Sequence, residues 1–283
     1  MDAASVADNP LVSIIVPTKD IVRTIERCLV SCANQTWPTT ELVVVDNFST
    51  DGTWEIAQRV ADVAVQAGPE RSAQRNLAVE RASGEWVLWI DADMELPATI
   101  VERAMARRLE DGADAVFIPE VSVGDGYWTR CRALERSCCT DEILVQSPRL
   151  IRRRYLIDTG GFRTSLSGTE DAELRTRMIA DGCSLTWIPD LIIHDEGRLT
   201  FSGIMRKRYY YGRGFARYER DHPGALGGQA GAAIGAYRRS WRRLAAQPSV
   251  AVGVAAMRAA ELGAYLVGAA AGARERESRG SPG

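Results

Sequence analysis

Histidine is scarce, with two in 283 residues, and the six cysteines (Cys28, Cys32, Cys131, Cys138, Cys139 and Cys183) form no C-x-x-C pair. A structural zinc site is therefore not expected, and the cysteines read as reduced thiols. The amino-terminal MDAASVADNP is acidic and has no apolar run, which argues against a secretory leader and for a cytoplasmic protein. No glycine follows the first apolar run in VPTKDIVRT, so the fingerprint of a dinucleotide-dependent dehydrogenase is missing. A sugar nucleotidyltransferase would want a Gly-rich, Arg-bearing loop in the same place. No internal repeat is visible. The apolar stretch 250–273 is broken by Arg258 and Glu261, and reads as an interfacial or core-packing helix rather than a membrane span.

What is present describes a globular chain with a real core: 46% hydrophobic and 25% charged residues. The formal net charge of −2 conceals an asymmetry. From Arg198 onward there are 15 Lys+Arg against 5 Asp+Glu, leaving 20 against 32 in residues 1–197. A tail of about +10 beside a body of about −12 either docks on that body or faces an anionic surface such as phosphate or membrane. Within it, RKRYYYGRGFARYER (206–220) interleaves cations with tyrosines, a composition that suits a membrane headgroup region or a lid over a diphosphate. With no RNA-binding signature beside it and an acidic body, nucleic acid is not expected as a partner.

LVSIIVP (11–17), ELVVVD (41–46), WVLWID (86–91) and AVFIP (115–119) are short, β-branched and nearly all apolar, as strands covered on both faces are. Between them Ile21, Ile25, Cys28, Leu29 and Cys32 recur at helical spacing after Asp20, a candidate N-cap, and 53–61 and 72–82 repeat the helical pattern. The alternation predicts an α/β fold with a mostly parallel central sheet and ligands beyond the carboxyl ends of its strands. Pro17-Thr18, Asp46 and Asp91 fall at such ends. YWTRCRALERSCC reads as a helix, and SLTWIPDLIIH as one or two strands.

The triplet Asp91-Ala92-Asp93 leaves the apolar run at 86–91 directly. In extended chain its two carboxylates would share one face, and a divalent cation bridged to a diphosphate needs such hard oxygen ligands. A lone D-x-D fits a solvated acidic turn as well, and an aspartate phosphatase can use the same pair. Arg71 and Arg75 sit four apart, on one helix face, and offer planar donors to a base or diphosphate. Ser167 followed by Glu170 fits a capping box, with Leu174 and Met178 on the apolar side of the helix it would open. Asp171 is exposed to a second reading, that of a base.

Taken in order, VSIIVPTKD, QTWPTTELVVVDNFSTDGT, RSAQRN, SGEWVLWIDADMEL and GGFRTSLSGTEDAELRTRM resemble the inverting family 2 glycosyltransferases of GT-A fold, over about residues 11–200. The resemblance implies a Rossmann-like GT-A domain over 1–200, with a nucleotide-sugar half at about 11–119 and an acceptor half at about 120–200. Residues 201–283 then form a basic, Ala/Gly-rich helical extension. It implies that Pro17, Thr18 and Asp46 hold the nucleoside, that Arg75 rather than Arg71 meets the donor, and that Asp91 contacts ribose or an outer-sphere metal. Asp93, joined by His194 and Asp91, is implied to bind Mn2+ or Mg2+, and imidazole favours the former. Asp171 matches the family's general base; Glu170 and Arg198 fall among the nucleotide-sugar contacts. The family more often shows a second acid at Asn47 and Tyr-Asn in place of Lys19-Asp20, and its processive members carry a Q-x-x-R-W that is lacking here.

The expected activity is metal-dependent, nonprocessive transfer of one sugar from a UDP-, GDP- or dTDP-linked donor to a hydroxyl of an unidentified acceptor, with inversion. The competing readings are a polyprenyl-phosphate glycosyltransferase and a non-catalytic, nucleotide-sugar-binding, membrane-associated module. The expected location is the cytoplasm, with peripheral attachment to an anionic membrane face through the extension.

Overall fold

The computed structural model describes residues 9–166 and 168–279. Residues 1–8, on which the reading of the amino terminus rests, and Ser167 of the capping-box reading lie outside them. The chain opens β1 (Val12–Thr18), α1 (Val22–Ala33), β2 (Thr40–Asp46), α2 (Thr53–Val60), β3 (Val63–Gln66), α3 (Arg71–Arg81) and β4 (Trp86–Trp89). It continues β5 (Met94–Glu95), α4 (Ile100–Asp111), β6 (Ala115–Phe117), β7 (Glu120–Val123), α5 (Tyr127–Ser137), β8 (Pro148–Arg152), α6 (Arg153–Asp158), α7 (Glu170–Ala180), β9 (Leu185–Trp187) and β10 (Ile192–Asp195). Four helices complete it: α8 (Phe201–Asp221), α9 (Ala225–Arg239), α10 (Trp241–Ala245) and α11 (Pro248–Arg279).

The main sheet has the order β3-β2-β1-β4-β8-β6-β9. β8 alone runs antiparallel to its neighbours. Period-two alternation explains why its strands read as unbroken apolar runs. Val12, Ile14, Val16, Leu42, Val44, Trp86 and Leu88 face one layer with Ile25, Cys28, Leu29 and Cys32 of α1 and Met105 of α4. Ile15, Val43, Val45, Val87 and Trp89 face the other with Val79 of α3, Phe162, and Leu174 and Met178 of α7. Each face is covered, so the strands are nearly all apolar, and the polar residues they do carry are partnered, as Ser13 is by Glu41, or stand at strand ends, as Thr18 and Asp46 do. Going from β1, the chain builds β2 and β3 on one side and then β4 on the other; this reversal opens a crevice at the strands' carboxyl ends.

Asp20 does not cap α1. Its backbone is left-handed (φ 41°), and Ile21 occupies the N-cap position without a side-chain bond. The free amide of Val22 is met by Asp51 Oδ2 at 3.0 Å and that of Ile21 by Thr53 Oγ1 at 2.9 Å, both from the loop after β2. A long-range cap of this kind leaves no local sequence signature.

A second sheet, β5-β10-β7, is small but sets the site's register: His194 lies opposite Met94, next to Asp93, and Ile192 lies opposite Glu120. Behind it, α11 packs on α5 and α8 through Cys131, Leu134, Ile204, Val250, Val254 and Met257. At Gly268 the backbone lies so close to the Tyr209 carbonyl that no Cβ would fit. By length and composition Pro248–Arg274 is apolar enough to cross a membrane, yet both charges read as interruptions are used in packing. Glu261, 3% exposed, pairs with Arg132 of α5, with Arg208 of α8 at 2.8 Å, and with Arg258 at 2.8 Å.

Burial pushes the Glu261 carboxyl up, but the guanidinium groups of Arg208, Arg132 and Arg258 outweigh it and lower it to about 2. An unfolded glutamate titrates near about 4.3, so the pairing stabilises the fold fully above that pH and is lost as pH falls towards 2. Glu261→Ala removes the carboxylate shared by three guanidinium groups, leaving Arg132 and Arg258 only Glu135, and should cost about 3–5 kcal/mol. Urea titration at pH 7 checks the loss, and the gap to the wild-type chain should narrow below about pH 4.

Candidate active site

β4 stops at Trp89, and the chain turns immediately, with Met94 N donating to Asp91 O at 3.0 Å. The extended conformation does not persist through Asp91-Ala92-Asp93, so the two carboxylates do not share a face. Asp91 turns towards α3 and Asp93 towards β10.

Asp91 meets Arg75, whose side chain is 0% exposed. Arg75 Nη2 donates to Asp91 Oδ1 at 2.8 Å, and Nη1 to Asp171 Oδ1 at 2.9 Å, with Glu170 Oε1 at 3.5 Å. The guanidinium plane lies 4.0 Å from the Trp89 ring centroid, and Arg149 stacks on the same indole at 3.9 Å. Trp89 is held in turn by Nε1 donating to Pro148 O at 2.6 Å. Two cations over one indole repel each other, and carboxylates must compensate. Burial would raise the Asp91 carboxyl, but Arg75, Arg71 and Arg149 hold it well below the usual carboxylate range. Burial also pushes Arg149 down to about 10, and Arg149 pairs with Glu120.

The two α3 arginines differ in their surroundings. Arg75 is enclosed by protein, while Arg71, 37% exposed, reaches Glu170 Oε1 at 2.6 Å and Asp91 Oδ1 at 3.7 Å from the open side. Four-residue spacing put both on one face as expected, but α3 is amphipathic along its length, and only the second falls under Phe162, 5.1 Å away. Glu170 does not cap α7 either. Thr169 is the N-cap residue, without a side-chain bond, and Glu170 is buried against the two arginines. Asp171 is 30% exposed, with Oδ2 at 3.5 Å from Ser147 Oγ.

On the other side of the turn, Asp93 Oδ2 lies 3.3 Å from His194 Nε2. His194 Nδ1 lies 2.9 Å from Glu120 Oε2 and 2.7 Å from Arg136 Nη1. Nδ1 thus stands between a carboxylate that can take its proton and a guanidinium that can only donate to it. With the proton on Nδ1 and given to Glu120 the Nε2 lone pair faces Asp93, as a metal ligand needs; with Arg136 donating to Nδ1 the proton sits on Nε2 and is given to Asp93. This oxygen-plus-imidazole pair fits a divalent cation. Among the described residues no three His, Cys, Asp or Glu side chains are grouped to hold a metal; Asp91, the third ligand expected, faces the arginines.

At the nucleoside end, Pro17 and Thr18 close β1 opposite Val45 and Asp46. Asp46 is fully buried, and its oxygens accept from Ser49 N at 2.8 Å, from Ser49 Oγ, and from Gln66 Nε2 at 3.0 Å. It holds the loop that follows β2 in shape. Gln74 of α3 donates to Thr18 O at 3.0 Å and Val45 O at 2.7 Å, tying the arginine helix to both strand ends. Arg198 is exposed on the segment after β10, beside Gly126, and is not drawn into the carboxylate cluster.

Sequence reasoning missed Glu120, Arg149, Trp89 and Gln74. Glu120 and His194 lie on paired strands of the small sheet, two residues out of register and hence on one face; that pairing has no trace in either segment alone. It also missed Tyr211 of α8, whose ring lies against Gly168 where no Cβ would fit, just before Glu170-Asp171. Of ten buried side-chain N or O atoms without a partner among the described residues, five belong to Thr18, Arg75, Arg149, Thr169 and Glu170. Unpaired buried polar atoms cost about 1–3 kcal/mol each, and their concentration here marks a site shaped for something other than stability.

A Rossmann-like sheet with carboxylates and cations gathered at its switch point, completed by a small second sheet, is the GT-A arrangement of a glycosyltransferase. Solved structures agree. The mannosyltransferase PcManGT from Pyrobaculum calidifontis, in complex with GDP-Man and Mn2+, superposes with TM-score 0.63 at 24% identity, covering 94% of this chain and 87% of that one. S. aureus TarS 1-349 in complex with UDP-GlcNAc gives 0.56 at 18% identity, covering 94% and 92%. The family model described as Glycosyl transferase family 2 matches residues 13–165, more than half of the chain, which belongs to that family. Glycosyltransferase AglE of Haloferax volcanii is 26% identical over 222 residues, 72% of this chain and 73% of AglE. The uncharacterized glycosyltransferase YibD of Escherichia coli is 33% identical over 108 residues, 36% of this chain and 31% of YibD.

Arg75→Met keeps the contact with Trp89 but leaves Asp91, Glu170 and Asp171 without their shared cation, and should cost about 3–5 kcal/mol at neutral pH. Because the ion pair depresses Asp91, its stabilising effect exists above the unfolded aspartate pKa of about 3.9 and fades below it. Thermal melts of both chains should therefore differ most near pH 7 and converge towards pH 3.

Proposed function

We propose that the chain transfers one sugar from a nucleoside diphosphate donor to an acceptor hydroxyl with inversion at the anomeric carbon, and that Asp171 is the general base. The observation that carries this reading is the single guanidinium of Arg75, bonded at once to Asp91 at 2.8 Å and to Asp171 at 2.9 Å. A carboxylate for the donor and a carboxylate for the acceptor proton are thereby held one arginine apart. Inverting transfer needs that pairing of a leaving nucleotide with a base across the sugar.

Asp171 is partly open; its salt bridge to Arg75 fixes Oδ1, and Oδ2, 3.5 Å from Ser147 Oγ, is the oxygen left to receive the acceptor proton. Arg71, from the open side, meets the donor diphosphate in the role expected of Arg75, which instead orients the two aspartates. Asp91 accepts from ribose, and Glu170 positions Arg71. Pro17, Thr18 and the loop held by Asp46 receive the nucleoside. Arg198 closes on the diphosphate from the rim. Asp93 and His194 would hold Mn2+ or Mg2+, which supplies charge to stabilise the departing diphosphate. The GDP-Man and Mn2+ complex of PcManGT and the UDP-GlcNAc complex of TarS support a nucleotide-sugar donor and, in the first case, a divalent ion. Residues 1–200 form the transferase domain and 201–283 an extension, and the lack of Q-x-x-R-W supports single addition.

A lipid-linked acceptor at the cytoplasmic face of a membrane is favoured by one further observation. Val252, Leu262, Leu266 and Val267 of α11 are exposed, as is Trp241 of α10, in the part of the chain that carries about ten excess positive charges. Apolar residues set among cations suit peripheral attachment to anionic lipid.

Two experiments test these readings. Asp171→Asn should bind UDP- or GDP-sugar with Mn2+ as the wild-type chain does while transfer falls at least about a hundredfold; Asp93→Ala should lose the metal dependence of donor binding. Normal transfer by Asp171→Asn would move the base elsewhere, and full metal-dependent activity in Asp93→Ala would remove Asp93 from the metal site. For attachment, the chain should co-sediment with phosphatidylserine vesicles and be released as salt rises, and Leu266→Asp should weaken it. Equal sedimentation with neutral vesicles would remove the anionic surface from the account.

A further inference from the structure

Phe48 combines two unfavourable features. Its backbone is left-handed, at φ 53°, a region that bulky L-residues rarely adopt, and its side chain is 57% exposed. An exposed apolar residue alone means little. A strained backbone that carries one is different, because strain of this kind survives only where the surroundings over-determine it.

Here they do. Asn47 N donates to Thr18 O at 2.9 Å, Asn47 Nδ2 to Pro69 O at 3.0 Å, and Ser49 N to Asp46 Oδ2 at 2.8 Å. Lys19 Nζ donates to Asn47 O at 2.8 Å and to Phe48 O at 3.3 Å, and Asp20 N donates to Ser49 Oγ at 2.8 Å. Every residue flanking Phe48 is fixed, and the ring is carried outward on a rigid base. The loop stands at the carboxyl end of β2, beside the switch point, where an α/β sheet takes its ligand. Gln74 connects it through Thr18 O to α3, the helix of Arg71 and Arg75. Thr18 Oγ1, at the same strand end, is buried and has no hydrogen-bond partner.

We infer that Phe48 is the platform on which the nucleobase of the donor stacks. The inference rests on the donor reading above and deepens it. The phosphate end is recognised by cations and metal, whereas the base end carries few free polar groups: Asp46 is spent on its own loop, and Asn47 on Pro69. An aromatic face is indifferent to which base it meets, since every base has a π-face. Recognition here accordingly depends on the presence of a base more than on its identity.

The test measures binding of UDP, GDP and inorganic pyrophosphate, each with Mn2+, to the full chain and to Phe48→Gly and Phe48→Trp. Phe48→Gly relieves the left-handed backbone, so its melting temperature should equal or exceed that of the wild-type chain. Its affinity for UDP and GDP should fall by about 5- to 150-fold, as expected for stacking worth about 1–3 kcal/mol at 1.4 kcal/mol per tenfold. Affinity for pyrophosphate should not change, and Phe48→Trp should restore nucleotide binding. UDP and GDP affinities within about twofold of wild type in Phe48→Gly, or an equal loss for pyrophosphate, would overturn the inference while leaving the donor reading intact. If the wild-type chain binds pyrophosphate with Mn2+ but neither nucleotide, both fall together.

Discussion

A guanidinium group with no exposure to water must find its partners inside the protein, and Arg75 finds them in Asp91, Asp171 and the face of Trp89, with Nε alone left without a hydrogen bond among the described residues. Those partners come from the turn after β4, the start of α7 and the centre of the sheet. They lie far apart in the chain, so the charge can be satisfied only when the sheet, α3 and α7 are all in place. The same requirement runs in reverse for the carboxylates, which would repel one another without the cation between them. One buried charge thus couples the fold's completion to the site's geometry. It also explains why Arg71, and not Arg75, is the arginine of the pair that stays open to solvent.

Much of this was legible from the chain. The four apolar runs became β1, β2, β4 and β6, and the helical spacing of Ile25, Cys28, Leu29 and Cys32 became the buried face of α1. These patterns are readable because burial on two faces or on one stripe acts on each residue separately. β3 went unread because Val63–Gln66 is only four residues long and half-buried at the sheet's edge. At the site, Asp91, Asp93, Arg75, Asp171 and His194 were visible as residue types at strand ends and helix starts, but their pairing was not. Whether Asp91 and Asp93 look the same way depends on where β4 stops. Whether Arg71 or Arg75 is enclosed depends on where Phe162 lands. Glu120, Arg149 and Gln74 act through contacts between segments, and no local pattern announces such contacts.

The basic tail was read from composition either as docked on the body or as facing an anionic surface, and the structure shows it packed on α5 and within itself. Its Gly and Ala residues let α11 approach α8 and α5, and its buried Glu261 binds arginines from both. Arg258 and Glu261, which looked like flaws in an apolar segment, turn out to be its means of attachment. Glu261 is turned inward, and Val252, Leu262, Leu266 and Val267 are left exposed on the outside.

The ring of Tyr211 against Gly168 gives the boundary of the family match another meaning. The match to the family model ends at residue 165, before the turn at Gly168, before Asp171, and well before the helix that covers that turn. A fragment cut at residue 165 would keep six of the seven strands of the main sheet but lose β9, β10 with His194, Asp171 and the helix whose Tyr211 packs on Gly168. The proposal that Asp171 is the base therefore needs a piece of chain longer than the family-model match, and swapping tails between relatives would exchange the Tyr211 contact with Gly168 along with them.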